Sequence, residues 1–230
     1  MADMQDNFPV ANMGEQHIAV VLLVDTSGSM YDGPIEELNK GLQNFYDALQ
    51  KDSVALGRAE VCLISFNSSV NIELSFRPAD QFDAPILKTK GTTAMNEGIL
   101  TALNEIEERI SIYKQNGVKY YRPWLFLLTD GQPSDMDKEA EAVQRLRTAI
   151  ENKKVTYLPM GIGADADLEQ LKKYYPEQHP QKTTLSADVD GFANAFEWLS
   201  RSVSQIAKAD QSATPTVNLT KPPDNITVAI

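Results

Sequence analysis

The chain has 230 residues, 42% hydrophobic and 23% charged, which fits a soluble globular protein with one sizeable core or a core plus short tails. Its formal net charge of −11 excludes sequence-independent binding to nucleic acid or anionic membranes, since both need a basic surface. The single cysteine, Cys62 in VCLIS, excludes an intramolecular disulfide and reads as a buried core thiol.

The N-terminal MADMQDNFPVANMGEQ carries acids and a proline where a secretory signal needs a basic start and an apolar stretch. No apolar run approaches the roughly 20 residues of a membrane span, so a cytoplasmic location is expected. Residues 18–24 (IAVVLLV) are continuously apolar and β-branched, as in a strand buried on both faces. That run ends unusually, on Asp25, Thr26, Ser27, Gly28 and Ser29. A helix follows over 34–51, opened by Pro34 and the acids Glu36 and Glu37, with Ile35, Leu38, Leu42, Phe45, Tyr46 and Leu49 on one face. Residues 60–66 (EVCLISF) are a second buried strand. Segment 70–76 (VNIELSF) alternates and follows after only three residues, which forces a hairpin and an antiparallel edge strand.

KGTTAMNEGI (90–99) is a loop leading into a helix over 96–115, and 124–129 (WLFLLT) is a strand ending at Asp130. Trp124, Tyr120 and Tyr121 are expected to pack where that strand enters the sheet, the alternative being an exposed aromatic pair that serves as a binding surface. Further helices are expected over 136–152, over 167–174 with Asp167 and Gln170 as a capping box, and over 190–207. Strands are expected over 155–162 and 182–186. From 208 the chain is rich in Thr, Pro, Asp and Asn and reads as an extended tail, whose final ITVAI could add to a sheet edge. The resulting division is an N-terminal extension (1–16), one domain (17–207) and a tail (208–230). Alternating strands and helices predict an α/β fold: a three-layer, doubly wound, Rossmann-like sheet, mostly parallel with one antiparallel edge strand and helices on both faces.

Such sheets place their sites at the carboxyl ends of strands where strand order reverses. Asp25 and Asp130 are the two carboxylates that strand ends can deliver to one crevice, with Thr92 and Thr93 in a loop between them. Carboxylates and hydroxyls without Cys or His suit a hard cation, Mg²⁺ or Mn²⁺, and not zinc or copper. Alternate spacing lets the Ser27 and Ser29 hydroxyls converge while Gly28 permits a tight turn. Alone, DTSGSM would be a turn and helix cap. Other patterns carry less. GIG at 161–163 lacks the third glycine of a dinucleotide fingerprint. Asp165 and Asp167 begin like a calcium loop, but Pro176 stands where its glutamate should. His17 and His179 read as surface or packing residues, and the sequons at Asn67, Asn218 and Asn225 as chance. Asn67, Ser68, Asn96 and Gln132 are expected in loops near the crevice, where they would tune partner choice.

Together DTSGS, GTT and LTDG resemble the three-part metal-ion-dependent adhesion site of von Willebrand factor A (VWA) domains, over roughly residues 17–207. PIEELNKGLQNF and YYRPWLFLLTDGQPSD are more specifically similar to a bacterial cytoplasmic, tellurite-resistance-associated (TerY-like) subgroup. The resemblance implies that Ser27 and Ser29 coordinate Mg²⁺ or Mn²⁺, or under some conditions Ca²⁺. Thr93, the third residue of the G-x-T loop, joins them, with Asp25 and Asp130 acting mainly through water or exchanging with Thr93 between two states. It further implies a non-enzymatic protein-interaction module whose partner completes the coordination with an Asp or Glu carboxylate. A phosphoryl-transfer enzyme is the alternative. Against it stand Ser27, where such enzymes place a second Asp, and the absence of a P-loop. A cation-responsive stress protein, with metal selecting an open or closed state, is compatible with the first reading.

Overall fold

The architecture, taken from a computed structural model, is described for residues 10, 12–81, 83–130, 132–163, 166–179, 182, 184–187, 192–208 and 226–229. Strands β1 (Ile18–Asp25), β2 (Ala59–Phe66), β3 (Val70–Pro78), β4 (Trp124–Thr129), β5 (Thr156–Ile162), β6 (Thr184–Ala187) and β7 (Ile226–Ala229) form one sheet, in the order β3-β2-β1-β4-β5-β6-β7. The helices are α1 (Pro34–Gln50), α2 (Ser53–Arg58), α3 (Met95–Gln115), α4 (Glu139–Glu151), α5 (Leu168–Lys172) and α6 (Phe192–Lys208).

Every residue of β1 is buried, because the strand lies between parallel neighbours β2 and β4 and is covered on both faces. Ile18, Val20, Leu22 and Val24 meet α1, α2 and α6, including Leu38, Phe45, Ala55, Phe196 and Leu199. Ala19, Val21 and Leu23 meet α3, α4 and α5, including Ile99, Leu103, Leu146 and Leu171. The α1–α6 crossing is close at Gly41, where a Cβ would lie 2.2 Å from the Phe196 ring. This is the expected three-layer α/β arrangement. The β2–β3 hairpin supplies the antiparallel edge, and residues 226–229 of the expected tail add a second one by pairing antiparallel with β6.

The helices expected over 34–51, 96–115 and 190–207 form within two residues of those bounds, and the 136–152 helix begins as a 3-10 turn over Met136–Lys138. Helix α2 is an addition. Its six residues are too few to show a helical stripe, and Asp52 caps it by accepting from the Val54 and Ala55 amides at 3.1 and 3.3 Å. Cys62 is buried, which pushes its thiol pKa well above the usual range. Among the described residues no helix is long and apolar enough to cross a membrane.

At the amino end of β2, a buried polar cluster ties the sheet to α3. Glu60 accepts from Arg109 Nε at 2.5 Å and from the Tyr113 hydroxyl, while His17 Nδ1 lies 3.6 Å from its other oxygen. His17 is therefore a packing residue. It is buried, as are Glu60, Arg109 and Tyr113.

Candidate functional site

Strand order reverses between β1 and β4, so the carboxyl ends of these adjacent strands flank a natural crevice. Asp25 ends β1 and is fully buried. Its Oδ1 accepts from the Ser27 amide at 2.7 Å, and its Oδ2 accepts from Thr129 Oγ1, at the end of β4, at 2.6 Å. Burial outweighs these hydrogen bonds and raises the Asp25 pKa from 3.8 to about 6, with a smaller upward push from Asp130. The turn beyond Asp25 is pinned to β2, since the Thr26 amide and hydroxyl both donate to the Phe66 carbonyl, at 2.8 and 3.1 Å.

From there a chain of hydroxyls leads to the second carboxylate. Ser27 Oγ and Ser29 Oγ are 2.9 Å apart, and Ser29 Oγ donates to Asp130 Oδ1 at 2.9 Å. Burial raises the Asp130 pKa above the ordinary carboxylate value, against the lowering effect of Ser29. Four of the five residues expected from sequence are thus joined: Asp25, Ser27, Ser29 and Asp130.

Thr93 arrives on the neighbouring loop. The Lys90 amide donates to the Thr26 carbonyl at 3.0 Å, and the Gly28 amide donates to the Gly91 carbonyl at 3.0 Å. Gly91 has φ +68°, and a Cβ there would lie 2.1 Å from Ser68 Oγ, so this splice needs glycine. Thr93 is nearly buried, and its amide donates to Ser134 Oγ at 3.0 Å. Thr92 is an exposed loop residue, as expected, with its amide donating to Ser68 Oγ at 2.9 Å.

Two expectations need correction. Asn67 and Asn96 are buried and internally bonded, so neither faces a partner. Asn67 donates through Nδ2 to Thr26 Oγ1 at 3.0 Å and accepts from the Ser69 amide through Oδ1 at 3.2 Å, while its backbone carbonyl accepts from the Ala94 amide at 2.6 Å. Asn96 lies in the first turn of α3, bonded to Asp135 and to the Tyr174 hydroxyl. Ser68 and Gln132 are exposed, and Gln132 donates to Asp167 Oδ2 at 2.8 Å. Gly131 and Asp165 lie outside the described residues.

Sequence reasoning missed Thr129, Ser134 and Asp135. Thr129 was legible only as the residue preceding the carboxylate in LTDG. Nothing local signals Asp135: α3 starts after Ala94, which has no side chain able to cap it, and the capping carboxylate comes from far along the chain.

Two carboxylates and several hydroxyls at two adjacent strand ends fit a hard divalent cation. Among the described residues no group of three or more His, Cys, Asp or Glu forms, so a cation held here has to use hydroxyls together with carboxylates. Both carboxyls resist ionisation because of burial, and a bound cation would offset that cost.

A family model described as von Willebrand factor type A domain matches residues 19–198. No curated protein matches by sequence. Among solved structures, proximal thread matrix protein 1 of the mussel byssus is similar at 14% identity and TM-score 0.56, covering 84% of this chain and 46% of its own. The chain thus spans about half the length of that relative. The vWF domain of the type V pili tip protein Mfa5 from Porphyromonas gingivalis is similar at 11% identity and TM-score 0.62, covering 86% of this chain and 99% of its own. Manganese-loaded Plasmodium vivax TRAP protein is similar at 18% identity and TM-score 0.54, covering 79% and 73%. At these identities the likeness is one of fold.

Proposed function

The chain belongs to the von Willebrand factor type A domain family, and from that premise we propose that it is a non-enzymatic, metal-dependent protein-interaction module. Domains of this family commonly serve in interaction or adhesion and often bind a divalent metal. In this reading Ser27, Ser29 and Thr93 hold Mg²⁺ or Mn²⁺, while Asp25 and Asp130 balance its charge. The cation supplies an electrophilic position for an Asp or Glu carboxylate of a partner protein.

One observation carries the reading. Asp25 and Asp130 stand at the carboxyl ends of adjacent strands at the reversal of the sheet, joined through Ser27 and Ser29 in bonds of 2.9 Å. The phosphoryl-transfer alternative needs Asp25 as a nucleophile. Both of its oxygens accept hydrogen bonds and the residue is fully buried, which weighs against attack on a phosphate ester. The proposed setting is the bacterial cytoplasm, in a stress or tellurite-resistance-type system. Support for it comes from PIEELNKGLQNF and YYRPWLFLLTDGQPSD, the segments similar to the TerY-like subgroup.

Affinity capture from cell lysate with Mg²⁺ or with EDTA tests the function. The reading predicts partners recovered only with metal, and none by Asp25→Ala. The same partners under both conditions would overturn it.

A further inference from the structure

The loop after β4 does more than carry Asp130. Helix α3 begins at Met95 behind Ala94, which leaves its first amides without a local cap. Asp135 supplies one from 38 to 39 residues away. Its Oδ1 accepts from the Asn96 amide and from Asn96 Nδ2, each at 3.2 Å, and its Oδ2 accepts from the Glu97 amide at 2.8 Å. A carboxylate at this end also meets the positive end of the helix dipole.

The neighbours of Asp135 extend the same contact. Ser134 bonds Thr93 in both directions, with its Oγ accepting from the Thr93 amide at 3.0 Å and its own amide donating to the Thr93 carbonyl at 2.8 Å. Lys138 pairs with Glu97 at 2.8 Å. The Tyr174 hydroxyl donates to Asn96 Oδ1 at 2.6 Å, which fixes the amide so that Nδ2 points at Asp135. Residues 134–138 therefore clasp 93–97 by hydrogen bonds and an ion pair.

Resting on the proposed reading of the site, we infer that Ser134 and Asp135 are positioning residues for the cation site. They clamp the loop bearing Thr93 to the segment bearing Asp130, and so set the spacing of two donors that come from different elements. Neither touches the cation. Both act through Thr93, so their effect on metal affinity depends on the Thr93 hydroxyl. A cap that merely stabilised α3 would lack that dependence.

The test is a double-mutant cycle read by Mn²⁺ affinity on the full chain, using Asp135→Asn, the milder Ser134→Ala, and Thr93→Ala. Residues that hold metal ligands in place typically contribute about 10- to 100-fold to affinity. Asp135→Asn is expected to weaken Mn²⁺ binding about tenfold, and Ser134→Ala by a smaller factor in the same direction. In the Thr93→Ala background each should change affinity by less than about twofold. Wild-type affinity in both variants, or equal losses with and without the Thr93 hydroxyl, would overturn the clamp while leaving the metal site standing. No Mn²⁺ binding by the wild-type chain would instead overturn the reading of the site, and the clamp with it.

Discussion

Asp25→Asn removes a charge from a fully buried position while keeping the shape of the side chain. Asn Oδ1 can still accept from the Ser27 amide, and the Thr129 hydroxyl can turn to accept from Nδ2. The wild-type carboxyl is raised from 3.8 to about 6 by burial, so the folded chain binds this proton more tightly than the unfolded chain does. Its stabilising contribution is complete below pH 3.8 and is lost as the pH rises through about 6. At 1.36 kcal/mol per pH unit, the ionised Asp25 costs the metal-free fold about 3 kcal/mol at neutral pH. Asn carries no charge at any pH. In urea unfolding with EDTA at neutral pH, the variant is therefore expected to be more stable than wild type by as much as about 2–3 kcal/mol. The gap should close as the pH falls toward 4. With Mn²⁺ the gap should close at a hundredfold excess over Kd, where wild type gains about 2.7 kcal/mol and the variant nothing, and the order should reverse at a thousandfold excess, where the gain is about 4.1 kcal/mol. A variant no more stable than wild type in EDTA at neutral pH, or a difference that persists under acid, would rule out this role for the buried Asp25 charge.

Three further outcomes follow from the geometry. Metal affinity should fall as the pH drops through about 6, by about tenfold per pH unit below it, as a proton competes for Asp25; isothermal titration calorimetry across that range checks this. Gly91→Ala should lower stability by about 1–2 kcal/mol, since φ +68° and the 2.1 Å approach to Ser68 Oγ both oppose a Cβ, and should weaken Mn²⁺ binding by disturbing the Gly28–Gly91 bond. Glu60→Ala leaves the Arg109 guanidinium buried without this carboxylate and should cost about 3–5 kcal/mol in denaturant unfolding. Its Mn²⁺ affinity should stay unchanged, because Glu60 lies at the amino end of β2, away from Asp25.

Legibility in the sequence followed the range of the interactions involved. IAVVLLV and WLFLLT were readable as central strands because coverage on both faces demands an unbroken apolar run, and that run is local. The strand-end carboxylates were readable for the same reason, since a charged residue closing such a run stands out. Features built from distant partners were hidden. Glu60 looks like the polar start of a strand, yet it is buried against Arg109, 49 residues away. Asp135 caps a helix that begins 40 residues earlier, and nothing near Ala94 names it. Asn67 and Asn96 were misread because polar residues between regular elements suggest exposure, whereas Asn67 sits in a packed loop and Asn96 in the first turn of α3, where their polar groups are bonded internally.

The proposed function stands or falls on a cation held by the carboxylates and hydroxyls at the ends of β1 and β4. An electron paramagnetic resonance titration of Mn²⁺ into the purified chain decides this, with the Ser27→Ala/Ser29→Ala double variant as the comparison. A single Mn²⁺ should bind per wild-type chain, be displaced by Mg²⁺ and fail to bind the variant. A Mn²⁺ signal that stays free in the presence of wild-type chain, or binding that survives loss of both hydroxyls, would contradict it.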